Sequence, residues 1–237
     1  MKSHRLEVAD VIRAHGSSYL ETYGSSTSAD QKRVLRHLAA CRTAALGGHK
    51  KKCDRCGHEE IAYNSCRNRH CPKCQGAARI QWLAARAKES LPVEYFHTIF
   101  TLPAAIGPLA LQNKRVIYGI LFQAAAETLL QIAADPKHLG ARIGFLAVLH
   151  TWGQNLLHHP HLHCVVPGGG IALDGSRWIA CKNGEKPFFL PVKILSLVFR
   201  GKFLQRLGKA FDRRELSFNG ALRGLAERSA FERWIAG

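Results

Sequence analysis

The sequence is short of carboxylates. Its 237 residues hold 17 Asp plus Glu against 34 Lys plus Arg, a formal charge of +17. An excess of that size makes a polyanion, nucleic acid or phospholipid, the first partner class to consider. A long hydrophobic run is also missing. The most apolar stretch, Tyr118 to Ala134, is interrupted by Gln123, Glu127 and Gln131 and falls short of the ~20 apolar residues a membrane span needs. The first 25 residues carry Glu7, Asp10 and Glu21 without an apolar segment, so no secretory signal is visible. Internal repeats and low-complexity tracts are absent too. These absences leave nucleic acid as the expected polyanion, with no membrane partner and a cytoplasmic, nucleoid-associated location. In that compartment the 8 cysteines are expected to stay reduced, which favours metal ligation over disulfides.

What is present supports a packed protein. Hydrophobic residues make up 46% of the chain and charged residues 22%, which excludes a disordered or fibrous chain. Charge is uneven along it. Residues 1–90 carry 17 basic and 8 acidic side chains, and residues 181–237 carry 12 and 5. Residues 91–180 carry only 5 and 4, yet hold 7 of the 13 histidines. A basic front and a basic tail therefore flank a nearly neutral, His-rich middle, as suits metal binding between phosphate-gripping flanks. The expected division is 1–90 as a helical, zinc-binding domain and 91–237 as a second domain.

Periodicity predicts two short helices within 4–46, separated by Gly24 to Ser28, with Asp30 capping the second and Val34, Leu35, Leu38 and Cys41 on its apolar side. Residues 49–76 read as a Cys-rich loop and 77–90 as a helix. Strands are expected at 95–102, 143–152 and 161–167, with Gly168-Gly169-Gly170 as a turn. A long helix is expected over 108–134, and another after Pro191, where Leu195, Phe199, Phe203 and Leu207 recur at helical spacing.

Two constellations carry chemistry. Cys53-Asp54-Arg55-Cys56 is followed, 14 residues on, by Cys71-Pro72-Lys73-Cys74. Paired C-x2-C knuckles at this separation can set four thiolates around Zn²⁺, which would be structural because no coordination position stays open. His58, Cys66 and His70 lie in the same loop and remain alternatives, either as substitutes for a cysteine or as ligands of a second ion. Arg55, Arg67, Arg69 and Lys73 decorate the knuckles as candidate phosphate contacts. The second constellation is His158-His159-Pro160-His161-Leu162-His163. In a strand, His161 and His163 share one face while Leu162 and Cys164 point to the core. Two imidazoles so held can chelate a divalent cation, with His150 or Gln154 as a third ligand. Cys164 and Cys181 read as thiols without a ligand role.

The runs SCRNRHCPKCQ (Ser65 to Gln75), LPVEYFHTIFTLP (Leu91 to Pro103), LHTWGQNLLHHPHLHCVVPGGG (Leu149 to Gly170) and FFLPVKILSLVFRGKFL (Phe188 to Leu204) resemble the insertion sequence 91 transposase family. These are rolling-circle enzymes of the HUH class, named for a His-hydrophobic-His metal motif. The resemblance implies an α+β chain: N-terminal helices and a zinc ribbon holding Cys53, Cys56, Cys71 and Cys74, then an RRM-like antiparallel palm with the HUH strand central. It implies that His161 and His163 hold Mg²⁺ or Mn²⁺, and that a tyrosine attacks single-stranded DNA to form a 5′-phosphotyrosine link. The family's tyrosine pair lies well downstream of the HUH motif, whereas no tyrosine follows Tyr118 here. The palm is accordingly expected to be incomplete at its C-terminus. The pair is expected beyond Gly237, with no catalytic residue assigned within the chain and with the missing part or other transposase chains as partners. Two other readings stay open. Tyr19 and Tyr23, four apart, fit a layout with the tyrosines ahead of the HUH motif, and a non-catalytic zinc-ribbon nucleic-acid-binding protein fits the charge alone.

Overall fold

The computed structural model describes residues 6–154, 157–181 and 189–236. The chain divides into two compact units, Met1–Ser90 and Leu91–Gly237.

In the first unit, helix α1 (Val8–Tyr23) opens on a capping box between Glu7 and Asp10. Helix α2 (Ala29–Ala40) is capped by Ser28 rather than by Asp30. The Ser28 hydroxyl accepts the Gln31 N–H at 3.2 Å, and the Gln31 amide oxygen accepts the Ser28 N–H at 2.8 Å. The stretch expected as a loop contains an antiparallel hairpin, β1 (Gly48–Lys52) and β2 (Glu59–Tyr63), in register Gly48–Tyr63 to Lys52–Glu59. Its strands bury no side chain, so apolar alternation could not announce them. Helix α3 (Pro72–Glu89) begins five residues earlier than periodicity suggested, because Pro72 sits pre-set in the first turn. The unit's core is small: Leu38, Cys41 and Cys71 are buried, with Ile12, Val34, Cys66 and Cys74 packed around them.

The second unit has mixed helix and antiparallel sheet, the α+β class expected. Strand β3 (Tyr95–Thr101) leads through a short 3-10 turn into helices α4 (Gly107–Gln112) and α5 (Lys114–Ala134). The single long helix expected there breaks at Asn113. Its buried amide donates to the Leu109 and Ser217 carbonyls, and its oxygen accepts the Ser217 N–H at 2.7 Å. Then come β4 (Ala141–Arg142), β5 (Leu146–Trp152), β6 (His158–Pro167), β7 (Gly169–Ala172), β8 (Trp178–Ala180), α6 (Val192–Asp212) and α7 (Arg228–Ala236). The main sheet runs β3-β6-β5, antiparallel throughout, with the histidine strand β6 central as expected. The glycines read as a turn instead open β7 in a second sheet, β4-β7-β8. A Cβ at Gly169 would meet the Trp178 ring at 2.7 Å, which explains the small residue.

One face of β6 is sealed: Leu162, Cys164 and Val166 are fully buried under α4 and α5. Helix α5, expected to fall short of a membrane span, is in fact long and apolar enough to cross a membrane by length and composition, because it begins at Lys114. Here it is the core helix, burying Ile117, Leu121, Leu129 and Ile132, while Glu127 pairs with Lys202 and Arg206 of α6. The other face of β6 is left for the histidines.

Candidate metal centres

Strand parity decides which imidazoles meet. His161 and His163 lie on the unsealed face of β6, and the antiparallel register sets His150 of β5 directly opposite His161. One nitrogen from each of His150, His161 and His163 falls within 4.8 Å of the others, and all three residues are half-buried. The His150 and His163 rings are 4.2 Å apart, and those of His161 and His163 4.9 Å. Past His150 the β5–β6 register slips, and Trp152 stacks nearly parallel on the His150 ring at 5.8 Å. Gln154, the alternative third ligand, does not join the group among the described residues.

Hydrogen bonds fix which nitrogens are free. The His161 Nδ1 lies 2.7 Å from the His159 carbonyl oxygen, so Nδ1 carries the proton and Nε2 keeps its lone pair. The His163 Nδ1 is 2.7 Å from Nε2 of His97, a β3 residue that sequence reasoning missed. The signal was available: His97 sits in a strand whose parity places it on the same sheet face. The His163 Nε2 is buried and has no hydrogen-bond partner among the described residues. Burial, then the fields of His150, His161 and His97, lowers the His163 pKa. A neutral imidazole with one buried, unshared lone pair facing two others is the donor set a divalent cation requires.

The cysteines converge differently from the expectation. Cys71 and Cys74 meet Cys41 and Cys66, not Cys53 and Cys56. The Sγ–Sγ separations are 3.6 Å for Cys41–Cys74, Cys66–Cys74 and Cys41–Cys71. Four sulfurs at 2.3 Å from a tetrahedral Zn²⁺ would lie about 3.8 Å apart, so the cluster fits that ion closely. The cause of the regrouping is the hairpin. Cys53 and Cys56 sit in its exposed tip, whereas Cys41 ends α2 and Cys66 follows β2, both at its base. Five extended residues separate tip from base by roughly 15 Å. The tip does form the expected knuckle: backbone N–H groups of Cys56 and Arg55, then the Cys56 thiol, lower the Cys53 pKa, and Gly57 turns at φ +72°. Neither His58 nor His70 joins a metal-ligating group among the described residues.

Inside the four-sulfur cluster, burial pushes the Cys66 thiol up to about 12. Burial also raises Cys74, but the thiols of Cys41, Cys66 and Cys71 and the Arg67 N–H outweigh it and bring Cys74 down to about 7. Protons crowd such a cluster, and a metal ion would displace them.

Residues 11–102 match the family described as "Transposase zinc-binding domain", and residues 144–236 match the family described as "Putative transposase". The chain belongs to the insertion sequence 91 transposase family. Over 230 residues it is 60% identical to the Sinorhizobium fredii protein "Putative transposase y4qJ", covering 97% of this chain and 57% of that protein. Over 144 residues it is 35% identical to the transposase for insertion sequence element IS801 of Pseudomonas savastanoi pv. phaseolicola, covering 60% of this chain and 34% of that one. The chain thus spans about half the length, or less, of these curated relatives. A solved structure, the conjugative relaxase TrwC in complex with oriT DNA in a metal-bound form, overlaps 86% of this chain and 68% of its own at 18% identity and a TM-score of 0.40, a likeness too slight to bear on function. The first unit of this transposase-family chain is a zinc-binding domain, and its cysteine cluster supports a structural zinc.

The remaining expected residues separate by surroundings. Arg55 is exposed at the hairpin tip, Arg69 contacts His70 at 3.3 Å, and Lys73 is ion-paired to Glu7 at 2.8 Å. Arg67 is exposed and adopts φ +50°. Among the tyrosines of the second unit, Tyr118 is 2.9 Å from His158 Nε2 on the sealed side of β6, and the Tyr95 hydroxyl accepts the Leu91 N–H at 2.8 Å. Tyr19 and Tyr23 pack on each other in α1. Cys164 and Cys181 are buried and apart from both groups.

Proposed function

We propose that this chain is the DNA-gripping and metal-holding part of a transposase that cuts and rejoins single-stranded DNA by tyrosine transesterification. The observation that carries the reading is the convergence of His150, His161 and His163 around the unshared Nε2 of His163. A divalent ion bound there would polarise the scissile phosphate and stabilise charge on the pentavalent transition state. Three imidazole nitrogens favour Mn²⁺ over Mg²⁺, which prefers oxygen donors. The histidines are held for the task before any ion arrives, His161 by the His159 carbonyl and His163 by His97, so little ordering remains at binding. The +17 charge supplies phosphate attraction. The tyrosine hydroxyl that attacks phosphorus, leaving a 5′-phosphotyrosine and a free 3′-OH, conserves the phosphodiester bond energy and needs no nucleotide cofactor. Tyr95 and Tyr118 have hydroxyls engaged elsewhere, so the histidine-bearing unit is assigned the metal-holding half of this chemistry.

The test is Mn²⁺ binding, followed by electron paramagnetic resonance. Replacing both His161 and His163 with Ala should abolish the bound signal and change stability by about 1 kcal/mol or less, since both lie on the face that carries no core. Undiminished Mn²⁺ affinity in that variant would refute the reading.

A further inference from the structure

Beside the sulfur cluster of the first unit lies an open groove of about 540 Å³, lined by Arg42, His49, Lys51, Tyr63 and Arg67 together with small and apolar neighbours. Its lining holds no carboxylate. Neighbouring cations are neutralised within the protein, Lys50 by Glu59 at 2.5 Å and Lys73 by Glu7, but Arg42, Lys51 and Arg67 form no ion pair among the described residues. Three unpaired cations converging on one concave surface leave a net positive field for an anion to fill.

The two arginines share a second property. Arg42 has φ +56° and Arg67 φ +50°, a left-handed conformation that glycine adopts freely and a Cβ-bearing residue does not. Each directly follows a cysteine of the cluster. Arg67 donates its backbone N–H toward Cys74, while the N–H of Cys66 points to Cys41 and that of Asn68 to Cys66. The Arg42 N–H is bound to the Asn64 carbonyl at 3.1 Å, which ties the end of α2 to the segment leaving β2. The turn that wraps N–H groups around the sulfurs sets the conformation of Arg67 and the bond to Asn64 that of Arg42, yet neither position carries glycine. Strain retained where glycine would remove it marks a side chain kept for another purpose.

We propose that this groove binds a DNA strand, with Arg42, Lys51 and Arg67 on successive phosphates, and that metal binding by Cys41, Cys66, Cys71 and Cys74 holds the two arginines in place. The proposal rests on the reading of the chain as a DNA-binding protein. It adds Arg42, His49 and Lys51 to the nucleic-acid surface and makes its geometry depend on zinc.

The test uses the full zinc-loaded chain and a labelled single-stranded oligonucleotide of mixed sequence, titrated by anisotropy at several salt concentrations. In the Arg42→Gly, Arg67→Gly variant, loss of two phosphate contacts should lower the slope of log affinity against log salt by about 1.4, with affinity down roughly tenfold. Zinc content should be kept and the melting temperature not lowered, because glycine fits both backbone positions without strain. A residue that merely supports the fold would give the opposite sign. Lys51→Gln, on an exposed strand with ordinary backbone, should lower the slope by about 0.7 with zinc retained. Removing the metal, which also unfolds the unit and so takes Lys51 out of the groove, should lower the slope at least as far as the glycine substitutions do. If the parent binds DNA but the glycine variant and Lys51→Gln bind with the parent's slope, the groove is not the site and the DNA-binding reading survives. If the glycine variant loses zinc, the arginines serve the fold and the proposal falls. If the parent shows no salt-dependent binding, both readings fall together.

Discussion

Replacing Cys41 with Ser should unfold the first unit, although Cys41 lies outside any C-x2-C motif. Its sulfur is 3.6 Å from those of both Cys71 and Cys74, so the substitution removes one corner of the tetrahedron. The unit has little else to hold it: among the described residues Leu38 is its one large buried apolar side chain, worth about 2–3 kcal/mol. A structural zinc contributes roughly 10–16 kcal/mol in finger-sized peptides near neutral pH, several times that amount. Weakening the ion from four thiolates to three should therefore release it during purification and leave residues 6–90 without a cooperative transition. The second unit, with its own core from Phe100 to Phe231, should melt as before. Cys53→Ser provides the contrast. Cys53 is exposed at the hairpin tip, and its loss should leave one zinc per chain and alter stability by about 0.5 kcal/mol or less. Metal analysis after gel filtration and amide hydrogen exchange over α2 and α3 read both outcomes. Zinc retained in Cys41→Ser but lost in Cys53→Ser would refute the cluster and restore the paired-knuckle arrangement.

Two further outcomes follow from the second unit. His97→Ala should weaken Mn²⁺ binding about 10- to 100-fold, as loss of a partner that orients a metal ligand does, while His97→Gln, able to hydrogen-bond the same nitrogen, should restore part of it; equal loss in both variants would mean that the hydrogen bond to His163 is not what matters. Burial pushes the Cys164 thiol up to about 11 from 9.0, so the unfolded chain ionises first and stability contributed by the neutral thiol is lost as pH rises from about 9 to 11, by about 2 kcal/mol at the upper end; a denaturation series in which Cys164→Ala shows the same alkaline loss as the parent would exclude this group as a cause.

The histidine centre was nearly legible in the sequence, because a period of two needs only a strand to become geometry. His161 and His163 then share a face, and short antiparallel connections bring His150 opposite them. His97 escaped because it stands alone in an apolar run, and only the pairing of β3 with β6 gives it a partner. The zinc ligands misled for the converse reason. C-x2-C spacing at 53–56 reports a local turn that does form, but which knuckles share an ion depends on the hairpin between them, and β1 and β2 bury nothing that would have revealed it. Cys41 looked like one more apolar residue on α2, since a ligand at a helix end and a core cysteine present the same pattern. The break at Asn113 was hidden because its bonds reach Ser217, over a hundred residues away.

Helix α5 gives the order of synthesis a bearing on how this protein must be handled in the cell. Its apolar sides are covered by β6 and α6, and the Arg206 and Lys202 that neutralise Glu127 are translated about 80 residues after it. While those residues are still on the ribosome, a segment as apolar as a membrane span emerges without its cover. The first unit has no such delay, since the last cysteine of its cluster is Cys74 and a metal ion held there would close it early. Chaperone demand should therefore fall on the interval between α5 and the end of α6, and a ribosome stalled there would expose the stickiest surface the chain ever presents.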